Sequence, residues 1–77
     1  MKVTILLFGQ LTDIAGTDTI TMEDIGDTDS VLASLQKRYP ALAASKYVTA
    51  VDKNIISRNT LLQDNSTIAL LPPFSGG

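Results

Sequence analysis

Apolar and polar positions change their spacing several times along this chain, and each change marks an element. Residues 3–8 are β-branched and large apolar types with Thr4 between them, and the run stops at Gly9, which predicts a strand. Both faces of that strand are apolar, with Val3, Ile5 and Leu7 on one and Leu6 and Phe8 on the other. Such a strand is central in its sheet, or has a second face that meets a partner. Leu11 and Ile14, three apart and followed by Gly16, predict one or two helical turns closed by a glycine. Residues 17–22 alternate threonines with Asp18, Ile20 and Met22, the mark of a half-buried strand.

A cluster of helix-capping types follows, Asp27-Thr28-Asp29-Ser30. Val31, Leu32, Leu35 and Tyr39 come next at helical spacing, with Lys37 and Arg38 near the end and Pro40 as terminator. This main helix of about three turns should lay its apolar stripe across the sheet. Residues 48–51 and 54–56 read as a hairpin around Asp52-Lys53, and Leu61-Leu62 as a buried turn. Residues 67–71 form the last strand, stopped by Pro72 and Pro73. The expected fold is α+β, one helix packed on a mixed sheet. Residues 1–71 form the domain and residues 72–77 an extended, flexible tail.

Composition narrows the chemistry. At 77 residues the chain sits near the size at which a hydrophobic core alone sustains a fold, and no cysteine is present to staple it. The absence of both Cys and His removes the usual metal and thiolate chemistry, so no metal site is expected. A net charge of -2 gives no footprint for nucleic acid. No apolar run approaches the ~20 residues of a membrane span, and the N-terminal residues carry no cleavable-signal pattern, so a cytoplasmic protein is expected. Without His, the Ser, Thr and Asp side chains offer no obvious base–nucleophile pair.

The last residues, Pro72-Pro73-Phe74-Ser75-Gly76-Gly77, form a chemical device of their own. Gly76 and Gly77 have no Cβ and can thread a narrow channel, leaving the terminal carboxyl carbon open to attack. Pro72 and Pro73 cannot extend a sheet and favour polyproline geometry. The tail could reach roughly 20 Å from the body at ~3.3 Å per residue. It carries no charged side chain, so it can enter a cleft without stripping water from ions. Phe74 lies too far out to reach the core easily, and a partner pocket is its expected home.

These residues carry a resemblance. The stretch ALLPPFSGG after LLQDNSTI, with VTILLFGQLTDIAGTDT at the other end, resembles the small subunit of molybdopterin synthase, the MoaD-type sulfur carrier of the MoaD/ThiS group of ubiquitin-like β-grasp proteins. The resemblance runs nearly end to end. Two departures stand out: Thr12-Asp13 where many relatives carry Arg-Glu, and Asp64-Asn65 where relatives often have a glycine.

The resemblance implies a ubiquitin-like β-grasp and a role for Gly77 as the reactive residue. A ubiquitin-activating-like adenylyltransferase would use ATP to adenylate its carboxylate, and sulfur from a donor enzyme would replace AMP to give a thiocarboxylate. No permanently bound cofactor is implied. The large subunit of molybdopterin synthase would be the partner and would supply the catalytic side chains, and a pterin precursor would be the sulfur acceptor. First and last strands are neighbours in such a fold, so Phe8 and Leu71, with Leu6 and Ala69, would form an apolar patch at the root of the tail. The resemblance places the partner contact there, although the same residues could instead complete a small core. A carrier for thiamine thiazole or another thiocarboxylate pathway, and a ubiquitin-like modifier joined through Gly77 to lysines, are the alternatives.

Overall fold

A computed structural model describes residues 2–73 of the chain. Strand β1 (Lys2–Leu7) alternates buried Val3, Ile5 and Leu7 with half-buried Thr4 and Leu6. The chain turns at Gly9 into a short helix, α1 (Gln10–Ala15), which Gly16 closes in the left-handed region at φ 72°. Strand β2 (Thr19–Glu23) returns antiparallel to β1, with Ile20 opposite Ile5. It starts two residues later than the alternation predicts. Threonine and aspartate at 17 and 18 are taken up by the turn, where the Asp18 carbonyl accepts from the Leu7 amide at 2.9 Å.

The main helix, α2 (Thr28–Arg38), buries Val31 and Leu35 against the sheet. Pro40 ends it as expected, but the same proline opens another short helix, α3 (Pro40–Ala43), which buries Leu42. Proline suits a first helical position because it has no N–H to leave unpaired there. Its ring also disfavours helical angles in the residue before it, and Tyr39 stands at φ -127°.

The two-residue hairpin is present as β3 (Val48–Val51) and β4 (Asn54–Ile56), with Val51 opposite Asn54. Both loop residues have positive φ, 47° at Asp52 and 73° at Lys53, as the right-handed twist of a tight hairpin requires. Strand β5 (Thr67–Leu71) runs parallel to β1 and antiparallel to β3, giving the order β2-β1-β5-β3-β4. One apolar core fills the space between this mixed sheet and the helices, built on Ile5, Leu11, Leu35, Leu42, Ile68 and Leu70. The Leu61-Leu62 turn is a partial correction: Leu62 joins the core, whereas Leu61 is 83% exposed. Leu61 makes a bridge to Asp27, and the extended backbone of that bridge sends neighbouring side chains to opposite sides. At the Asp64-Asn65 turn, Asn65 takes φ 67°, a region asparagine enters more readily than most residues, so no glycine is needed.

Candidate functional site

Strand parity divides β5 between the core and an open face. Ile68 and Leu70 are fully buried, while Ala69 and Leu71 are half-buried on the other side of the sheet. Pairing then builds a row across four strands. Leu6 lies opposite Ala69, Ala69 opposite Ala50, and Ala50 opposite Ile55. A second row starts at Leu71, whose partner is Val48. Phe8 continues the β1–β5 ladder by one step, its amide donating to the Leu70 carbonyl at 3.2 Å. Phe8 is 42% exposed.

Together Leu6, Phe8, Ala50, Ile55, Ala69 and Leu71 line a shallow apolar depression of about 530 Å³, rimmed by Asp52, Lys53 and Thr67. The structure therefore brings Leu6, Phe8, Ala69 and Leu71 onto one surface. Two members of that surface escaped the sequence reading. From the sequence Ala50 and Ile55 read as hairpin residues, and their facing becomes readable only once β3 is known to pair with β5. Ile55, 65% exposed, is the most open large side chain of the depression.

The tail begins at the end of this face. Pro72 is half-buried and Pro73 exposed. The sequence-predicted residues Phe74, Ser75, Gly76 and Gly77 lie outside the described residues. A third missed residue, Gly9, packs against the tail's root. A Cβ added there would fall 2.7 Å from Cγ of Pro72. Pro73 in turn stands over a cleft formed by Gln10, Asp13 and Ile14 of α1 and by Ala44, Ser45 and Lys46. Thr12 donates from its hydroxyl to the Leu7 carbonyl at 3.2 Å, so α1 is tied to the end of β1 at this corner.

Among the described residues no group of His, Cys, Asp or Glu is placed to hold a metal ion. What the arrangement can do is present an apolar surface to another protein and launch a chain end from its edge. The model of the ThiS family matches residues 5–77. This chain belongs to the ThiS family. The molybdopterin synthase sulfur carrier subunit of Dictyostelium discoideum is 32% identical over 95% of this chain and 93% of its own length. Among solved structures, small archaeal modifier protein 1 from Methanosarcina acetivorans superposes with a TM-score of 0.82 at 30% identity, covering 99% of this chain and 96% of its own. A Helicobacter pylori complex of subunits 1 and 2 of molybdopterin-converting factor contains a chain with a TM-score of 0.78 and 26% identity, covering 100% of both. The fold is thus the ubiquitin-like β-grasp of this family. No helix among the described residues is long and apolar enough to cross a membrane.

Proposed function

We propose that this ThiS-family chain is a sulfur carrier, the small subunit of a molybdopterin synthase, acting through the carboxylate of Gly77. The observation that carries the reading is the apolar face of Leu6, Phe8, Ala69 and Leu71, which ends where Pro72 starts a tail finishing in Gly76-Gly77. The relative from Dictyostelium discoideum is named for this role, and the Helicobacter pylori protein forms a two-subunit complex. A large subunit docking on the face would hold the body while the tail enters its active site.

The chemistry needs activation first, because a carboxylate is a poor electrophile. A Gly77 carboxylate oxygen attacks the α-phosphorus of ATP, pyrophosphate leaves, and the acyl carbon gains AMP as a good leaving group. Sulfide delivered by a donor enzyme then attacks that carbon, AMP departs, and a thiocarboxylate remains. ATP is used by the activating enzyme and is not bound here, and no cofactor resides on this chain. The carrier passes its sulfur to a pterin precursor, with catalytic side chains supplied by the large subunit. Action in the cytoplasm, where ATP is supplied, belongs to the same proposal.

One observation favours a second reading. The 30% identical structure is a small archaeal modifier protein, a name that points to attachment to other proteins. Phe74-Ser75 before Gly-Gly stands against it, since ubiquitin-type modifiers tend to carry basic residues there. Calorimetric titration with the large subunit tests the carrier reading. Phe8→Ala should weaken binding at least tenfold, about 1.4 kcal/mol, as expected of an aromatic anchor. Unchanged affinity, together with Gly77 found in isopeptide bonds to lysines, would favour the modifier.

A further inference from the structure

The docking face and the tail leave the body at one corner, and the contact that joins them there is between Gly9 and Pro72. Gly9 stands at φ 57° and ψ -136°, and the space where a side chain would sit is filled by the proline ring, with Cγ, Cδ and Cβ at 2.7, 3.7 and 3.9 Å from a Cβ built on the glycine. The two sides of this contact differ in freedom. On the Gly9 side, the Phe8 amide donates to the Leu70 carbonyl, the Thr12 amide donates to the Gly9 carbonyl at 3.1 Å, and the Thr12 hydroxyl holds the Leu7 carbonyl. On the other side, Pro72 has no N–H and lies beyond Leu71, the last residue paired to β3. An atom added at Gly9 therefore strikes the Pro72 ring, and it also strains the Gly9 backbone, whose positive φ L side chains rarely adopt.

We propose that Gly9 is a positioning residue: by leaving room for the Pro72 ring it sets the direction in which the tail leaves the docking face. The proposal rests on the carrier reading above. Pro72-Pro73 is stiff, so a change of direction at its root shifts the point from which the rest of the chain sets out. In a partner that grips the body through Phe8 and Leu71, a misdirected tail reaches the active site less often in productive geometry. The partner's grip itself is untouched.

The test is a set of variants, Gly9→Ala, Pro72→Ala and the pair together, in thiocarboxylate formation with the adenylating enzyme and sulfur donor. Binding to the large subunit is measured on the same proteins. Misplacement of a reacting group is costly, so Gly9→Ala should lower kcat at least about tenfold while KM and the large-subunit Kd move less than about threefold. Pro72→Ala removes the ring atom that an alanine side chain at position 9 would strike. In that background the same Gly9→Ala change should cost less than about twofold, and backbone strain at Gly9 is common to both backgrounds. Equal losses in the two backgrounds, or a fall in kcat matched by a rise in Kd and a lower Tm, overturn the proposal and leave Gly9 a residue of the fold alone. Should Gly9→Ala fail to fold, Pro72→Gly unseats the tail without touching β1 and should give the same fall in kcat at constant Kd; full activity overturns the proposal. A wild-type chain that accepts no AMP refutes the carrier reading, whereas an active wild type matched by Gly9→Ala refutes positioning alone.

Discussion

The first turn of α2 leaves backbone amides that its own capping cluster was expected to satisfy, yet the side chain that reaches them comes from far along the sequence. Asn59 accepts from the Asp29 amide at 2.9 Å through its carbonyl oxygen and donates to the Asp27 carboxylate at 2.8 Å through its amide. Thr28 and Thr60 complete the link, the Thr60 amide donating to the Thr28 hydroxyl at 2.9 Å. The Ser30 side chain, and after it Asn59, hold the Asp27 carboxyl below its ordinary 3.8. Because the folded value is the lower one, the stabilisation is fully present above the unfolded pKa. It is lost as pH falls through the folded one. Asn59→Ala should raise the Asp27 pKa part of the way back, with Ser30 still in place, and cost about 1 kcal/mol, as loss of a helix cap does. Carbon-13 titration of the Asp27 carboxyl and urea unfolding read the two effects; an unmoved titration would contradict this role for Asn59. The capping types at 27–30 were legible in the sequence, but Asn59 was not, because its partners depend on how the chain returns. Gly9 was hidden for the same reason, since its meaning lies in the Pro72 ring.

Leu70 and Leu71 are the same residue type on one strand, and only the pleat distinguishes them. Leu70 is fully buried between β1, β3 and the helices; Leu71 is half-buried on the open face. Leu70→Ala should cost about 2–5 kcal/mol in urea unfolding, the usual loss for a leucine removed from a packed core. Leu71→Ala should cost much less and weaken large-subunit binding roughly tenfold. The reverse pattern would place the two faces the wrong way round. Alternation along 67–71 made this division readable from the sequence, as did the double-sided apolar pattern of β1. Elements whose signal was ambiguous came out differently. Pro40 reads as a stop, but it both ends α2 and starts α3, because one ring can satisfy both positions. Leu61 and Leu62 read as one apolar pair, yet an extended backbone turns one of them to solvent.

Across the whole molecule, the order β2-β1-β5-β3-β4 makes β1 and β5 parallel neighbours, so both strands end at the same edge of the sheet. That topology brings Phe8, Gly9 and Pro72 to one corner, and Ala50 and Ile55 extend the same face from β3 and β4. On the proposed carrier reading, it would divide the work between a body that docks and a tail that reacts. Stability and activity should then separate: deleting Gly77 is expected to abolish sulfur transfer while leaving the Tm unchanged, since the core is built from residues between Val3 and Leu70. A lowered Tm would make the tail structural. The most direct measurement is the intact mass of the chain after incubation with its adenylating enzyme, ATP and a sulfur donor. A carrier gains the mass for replacing one oxygen by sulfur, located at Gly77 and missing from the truncated chain; an unchanged mass where adenylation is detected would contradict the carrier role.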